Sequence, residues 1–135
     1  MSMIRPLQPD DLDLVRDSFW RSVQATCPAA EGVGRAVLVE LLDRALAGSW
    51  RIAVLCPDED TSDEVGGWIL YRSPTTIGWL AVKPRYRHLC FARALLDHVG
   101  VKPGRVVVPL VPRGGYDLAA RFGLQLVVRP YSLLA

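Results

Sequence analysis

The stretch Ile77-Gly-Trp-Leu-Ala-Val-Lys-Pro-Arg-Tyr-Arg-His-Leu-Cys-Phe-Ala-Arg-Ala-Leu-Leu96 decides how the chain is read. In its first half Ile77, Trp79 and Ala81 alternate with Gly78, Leu80 and Val82. Both faces are mostly apolar, which predicts a strand covered on two sides. Pro84 ends it, because proline has no N–H for the ladder. In the second half Leu89, Ala92, Leu95, Leu96 and Val99 recur at three- and four-residue spacing, the apolar stripe of a helix. Between the two lies a basic turn with Lys83, Arg85, Arg87 and His88. A strand that feeds a helix through such a turn gathers unbonded backbone N–H groups at the positive end of the helix dipole. That arrangement suits a phosphate or pyrophosphate.

Around this unit, the chain has 135 residues, half of them hydrophobic and 22% charged, which predicts one ordinary globular domain over 1–135. The net charge of +2 is too small to argue for nucleic acid, and only the basic turn concentrates positive charge. The acidic run Asp58-Glu-Asp-Thr-Ser-Asp-Glu64 reads as a solvated loop between two strands. Cys27, Cys56 and Cys90 are odd in number, widely spaced and without a C-x-x-C pair, which speaks against a disulfide framework and a structural zinc site. The start Met-Ser-Met-Ile-Arg-Pro has no secretory pattern, and no apolar run reaches membrane-spanning length. A cytoplasmic, reduced protein is expected.

Taken in order, Met3 to Leu7 reads as a strand. Asp10 and Asp11 can cap a helix carrying Leu12, Val15, Phe19 and Val23 and running to about Gln24. A second helix fits Arg35 to Ala47, closed at Gly48. Strands follow at Arg51–Cys56 and Val65–Arg72, the latter joined by Ser73-Pro74-Thr75 into an antiparallel hairpin with the strand from about Thr76. The next helix is expected from about His88 to Val99, then a strand at Val106–Val111 with Pro109 as a bulge or its end. A short helix at Tyr116–Phe122 and a strand at Leu124–Arg129 follow, and Tyr131 to Ala135 either adds an edge piece or trails off. The order β-α-α-β-β-β-α-β-α-β implies an α/β fold with a mixed sheet and helices on both faces. The crossover over 76–111 should be parallel.

This order resembles the GNAT family of N-acetyltransferases over nearly the whole chain. Ile4-Arg-Pro-Leu-Gln-Pro-Asp-Asp11 is similar to the family's first strand and helix start, and Glu64-Val-Gly-Gly-Trp-Ile-Leu70 to its third strand. Val82-Lys-Pro-Arg-Tyr-Arg87 with Ala92-Arg-Ala-Leu-Leu96 is similar to its fourth strand, pyrophosphate loop and third helix, and Ala119-Ala-Arg-Phe-Gly-Leu124 to the end of its fourth helix. Ser18-Phe-Trp-Arg-Ser22 with Pro28 also resembles small GNAT-like proteins of bacteriophages. The family's loop, Arg or Gln, two residues, Gly, any residue, Gly or Ala, stands here as Arg87-His88-Leu89-Cys90-Phe91-Ala92, with Cys90 in the glycine's place. If that position needs a positive φ, Cys90 costs about 1–2 kcal/mol. If it is helical, Cys90 mainly adds bulk.

The resemblance implies acetyl-CoA as cofactor and direct acetyl transfer to an amine, with no covalent enzyme intermediate. The cofactor would be held by Leu80, Ala81, Val82, Arg87, His88, Leu89, Cys90, Phe91, Ala92 and Arg93. A backbone N–H near Leu80 to Val82 would polarise the thioester carbonyl, and strands at 76–83 and 106–111 would splay to admit the pantetheine arm. The family's thiolate-protonating Tyr falls at Ala119, which leaves Tyr116, three residues earlier, as the candidate acid. Residues 76–82 offer no carboxylate as general base. Two other functions stay open: a GNAT-fold CoA- or protein-binding module without catalysis, and a phage-type enzyme modifying nucleic acid. Partners implied are an amine acceptor and a second copy in a homodimer.

Overall fold

In the computed structural model, residues 3–58, 64–87 and 90–134 are described. The strands are β1 (Met3–Pro6), β2 (Arg51–Cys56), β3 (Gly67–Ser73), β4 (Thr76–Val82), β5 (Gly104–Val108) and β6 (Leu124–Val128). The helices are α1 (Leu12–Thr26), α2 (Arg35–Ala47), α3 (Phe91–Val99) and α4 (Gly115–Arg121). The strands form one sheet in the order β1-β2-β3-β4-β5-β6. The pairs from β1 to β4 are antiparallel, and β4–β5 and β5–β6 are parallel. The mixed sheet, the element order and the parallel crossover through α3 are as the sequence implied.

Each sheet face carries its own core. On one, Val15, Phe19 and Val23 of α1 and Leu38, Leu42 and Ala45 of α2 pack on Ile52, Val54, Trp68, Leu70 and Trp79. On the other, Phe91, Leu95 and Leu96 of α3 pack on Ala53, Leu55, Ile69, Ile77, Val106 and Val108. Strands buried on both faces need apolar side chains at successive positions, which is why the runs in β2, β3 and β4 do not alternate with polar residues. Burying each large aliphatic or aromatic side chain contributes about 1.5–3 kcal/mol. Phe19 meets Trp68 and Trp79 edge to face, at 6.2 and 5.9 Å between ring centres. Both indoles donate to serines on α1, Trp68 to Ser18 and Trp79 to Ser22, each at 2.9 Å.

Several element ends differ from the sequence reading. Asp11 does not cap α1. It closes a 3-10 turn at Pro9–Asp11, accepting from the Gln8 N–H at 2.8 Å, and forms a buried pair with Arg5 through bonds of 2.6 and 3.0 Å. The strand expected over 106–111 starts earlier and stops at Val108, because Pro109 offers no donor. The third helix begins at Phe91 rather than near His88, after Cys90 with φ 60° and ψ 25°. Cys90 therefore stands in the left-handed region, and its alternative placement within a first helical turn is excluded. His88 and Leu89 lie outside the described residues. The chain's end makes a 3-10 turn at Ser132–Leu134, with Leu133 in the first core, instead of an edge strand.

Candidate functional site

The site grows from an irregularity in the sheet. β4 and β5 share one ladder pair, Thr76 with Val107, supported by a 2.8 Å bond from the Val107 N–H to the Thr75 carbonyl. β5 then ends before Pro109, while β4 continues to Val82. Past Thr76, β4 therefore has an open ladder edge on its β5 side, at the place where a splay between 76–83 and 106–111 was expected.

The backbone of β4 at this opening follows from its pairing with β3. The Lys83 N–H donates to the Gly66 carbonyl at 2.8 Å. Antiparallel pairs alternate between hydrogen-bonded and non-hydrogen-bonded, so Ala81–Trp68 and Trp79–Leu70 are the next bonded pairs along this register. Leu80 and Val82 therefore turn their N–H and C=O groups toward the opening, and Ala81 turns its own toward β3. Gly67, opposite Val82, has no room for a side chain, since a Cβ there would stand 2.9 Å from the Ala81 carbonyl oxygen. A register shift leaves Gly78 without a partner in β3, so Ile77 and Trp79, two apart, serve opposite cores.

Beyond Val82 the chain makes a 3-10 turn at Pro84–Tyr86. Arg87 bends back, its Nε donating to the Val82 carbonyl at 3.2 Å. This brings two of the expected site residues together at the open edge. Arg85, counted with the basic turn, is ion-paired with Glu64 and lies over the Tyr86 ring at 4.8 Å. The Tyr86 hydroxyl donates to the same Glu64 oxygen at 2.6 Å, and this bond to a carboxylate holds the phenol pKa above its ordinary value. Tyr86 also stacks on Phe91 with ring centres 5.5 Å apart.

α3 starts without a side-chain cap, and the Ala94 N–H donates to the Cys90 carbonyl at 3.1 Å. The N–H groups of Phe91, Ala92 and Arg93 precede the helix's own acceptors and point out of its N-terminus, where the dipole is positive. Phe91 is buried and contributes backbone only, whereas the Arg93 guanidinium lies over Phe122 at 5.1 Å. Cys90 is exposed, and its side chain makes no capping hydrogen bond to these N–H groups. Tyr116, in the first turn of α4, is 61% exposed, and no hydrogen bond or ring contact among the described residues joins it to β4 or α3. Ala119 is buried.

Glu64 and Tyr86 went unrecognised in the sequence. Glu64 reads there as the tail of an acidic run, and only its place beside Gly66 and Gly67 hints at a packed corner. Among the described residues no cluster of His, Cys, Asp and Glu could hold a metal ion, and no helix is long and apolar enough to cross a membrane.

No protein-family model and no curated sequence matches the chain. Solved structures do. A GCN5-related N-acetyltransferase from Rhodopseudomonas palustris superposes with a TM-score of 0.61 at 14% identity, over 90% of this chain and 80% of that one. Apo YjaB from Escherichia coli gives 0.56 at 23% identity, over 73% of this chain and 64% of that one, so the chain spans less than two thirds of YjaB. The PaiA N-acetyltransferase of Thermoplasma acidophilum, solved in complex with coenzyme A, gives 0.50 at 17% identity, over 73% and 69%. The fold is therefore that of the GNAT acetyltransferases, as the order of elements implied. The bacteriophage-type resemblance gains no support from these likenesses.

Proposed function

We propose that the chain is an N-acetyltransferase of GNAT type that takes acetyl-CoA and an amine. The observation that carries this is the opening between β4 and β5 beside the uncapped N-terminus of α3. The two features fit the two ends of coenzyme A. The Leu80 and Val82 backbone edge suits the amides of a pantetheine arm, and the N–H groups of Phe91, Ala92 and Arg93 suit a diphosphate. Arg87, with its Nε on Val82, keeps its terminal amino groups for the same anion, and His88, Leu89 and Cys90 complete the loop by resemblance. Each hydrogen bond to a charged phosphate contributes about 1.5–3 kcal/mol, so two or three exceed the cost of about 1–2 kcal/mol for Cys90 in the left-handed region.

When bound, acetyl-CoA supplies an acetyl group activated as a thioester. The chain's own part is to hold and polarise. A backbone N–H of Leu80 or Val82, fixed by the β3 ladder, can donate to the carbonyl oxygen without reorganising, which is where such donors act best. The amine loses its proton to water, since β4 carries no carboxylate. Tyr116 is the candidate proton donor to the departing thiolate.

One observation favours a second reading, a CoA-binding module without transfer. The buried residue at the position of the family's acid is Ala119, and Tyr116 faces solvent. Calorimetry with acetyl-CoA and thiol release over a panel of amines separate these. Heat on binding together with amine-dependent thiol release that drops in Tyr116→Phe supports the enzyme. Binding without release supports the module. No heat at millimolar acetyl-CoA with folded protein refutes both.

A further inference from the structure

Glu64 makes contacts that the reading above does not use. One carboxylate oxygen, Oε1, receives both the Tyr86 hydroxyl, at 2.6 Å, and the Arg85 guanidinium. The same corner is fastened a second time by the Lys83 N–H on the Gly66 carbonyl at 2.8 Å. Its packing is close. A Cβ on Gly66 would lie 2.7 Å from Pro57 Cγ and 3.1 Å from Tyr86 Cδ2. Tyr86 in turn stacks on Phe91, the first residue of α3, whose side chain is anchored in the second core. The contacts run from the residues just before β3, through Tyr86, to the N-terminus of α3.

We propose that Glu64 is a positioning residue for the phosphate-binding end of the site, setting the N-terminus of α3 relative to the open edge of β4 by holding Tyr86 against Phe91. The inference rests on the CoA reading. Three features give it this role in preference to a general structural one. The Glu64 side chain is 35% exposed, and a pair so placed contributes little to global stability. Its partners are both on the turn that leads into α3. Its charge is balanced by Arg85, so a carboxylate stands near an anion site without repelling the anion.

The test is calorimetry with CoA and with 3′-phosphoadenosine 5′-diphosphate, the same molecule without its pantetheine arm. Glu64→Ala should weaken both about tenfold, the loss of one ordering bond to a charged group. Glu64→Gln, whose amide oxygen still accepts from Tyr86, should restore wild-type affinity. Tyr86→Phe should match Glu64→Ala, and the double variant should lose nothing more, because the two act as one. Should Glu64→Ala not fold, Tyr86→Phe and Glu64→Gln still decide. The inference is overturned if Tyr86→Phe binds both ligands like the wild type. It also fails if only CoA weakens, or if Glu64→Ala and Glu64→Gln both bind tighter through simple loss of negative charge. A wild type that binds no CoA removes the underlying reading before any variant is compared.

Discussion

Cys90→Gly should make the protein more stable. Cys90 is the one non-glycine with positive φ among the described residues. A side chain in the left-handed region costs about 1–2 kcal/mol through crowding of Cβ against the following carbonyl. Glycine removes that cost but gives the unfolded chain more freedom, which takes back about 0.4–1 kcal/mol. The Cys90 side chain is exposed, so no buried apolar area is lost. Cys90 is also the N-cap of α3, where glycine is preferred over apolar side chains. The balance is a gain of about 0.5–1 kcal/mol, or about 2–4 °C in Tm for a chain of this size. Thermal and urea unfolding followed by circular dichroism measure it. Cys90→Ala is the control, because it removes the thiol and keeps the Cβ, and it should gain nothing. A lower Tm for Cys90→Gly, or an equal rise in Cys90→Ala, refutes the strain at this position. The N–H groups of α3 stay in place, so CoA affinity should hold or improve.

Three further outcomes are expected. Asp11→Ala should cost about 3–5 kcal/mol, because it takes the facing carboxylate from the buried Arg5 guanidinium. The bond from Arg5 also holds the Asp11 carboxyl below its ordinary pKa, so its contribution is complete above the unfolded value and is lost as pH falls through the folded one. Urea melts of wild type and Asp11→Asn from pH 7 to pH 3 should converge on the acid side, and a pH-independent difference counts against the linkage. Ser18→Ala should cost about 1–3 kcal/mol by leaving the buried Trp68 N–H without its acceptor, read as a lower urea midpoint with altered tryptophan near-ultraviolet signal. A disulfide-exchange reagent should find one reactive thiol in the native protein and three in denaturant. Cys90 is exposed, Cys27 and Cys56 are buried, and burial raises the Cys27 thiol pKa further. A second fast native thiol contradicts this.

The order of elements was legible because it rests on local patterns: the stripes of α1 and α3, the double-faced runs of β2 to β4, and prolines that close them. Where those patterns misled, a long-range partner had intervened. Asp11 is a good cap by sequence, yet Arg5, six residues back on β1, claims it. Glu64 reads as a solvated acid, but Tyr86 lies 22 residues away and its approach depends on the β3–β4 pairing. Pro109 was ambiguous between a bulge and an end, because one donor lost can be absorbed either way. The φ of Cys90 was equally hidden, since no glycine marked it. The main-chain features proposed for the cofactor are easier to read from sequence than a proton donor, for a related reason. A strand edge and a helix start follow from secondary structure, whereas a proton donor depends on the direction of one side chain, and Tyr116 points to solvent.

The parts of the site differ in what they ask of the sequence. The donors proposed at β4 and α3 are main-chain N–H groups, available whatever side chain they carry. What the sequence must supply is their placement: Gly67 where a Cβ would strike the Ala81 carbonyl, Phe91 in the core, and Glu64 and Tyr86 holding the turn between them. Cys90 in a glycine's place is consistent with this division, because it strains the backbone without removing an N–H or capping one with its side chain. On the proposed reading, side chains at residues 87–93 can drift while the anion site is kept, as long as the supporting contacts persist. Proton transfer has no such reserve. It needs a hydroxyl at one point, and α4 buries a methyl at Ala119 with the nearest hydroxyl three residues away on Tyr116. Selection that relaxed on transfer while keeping the cofactor would leave this pattern. So would an enzyme whose α4 shifts Tyr116 inward when loaded. The response of thiol release to Tyr116→Phe separates the two, because only the second loses activity when one oxygen is removed.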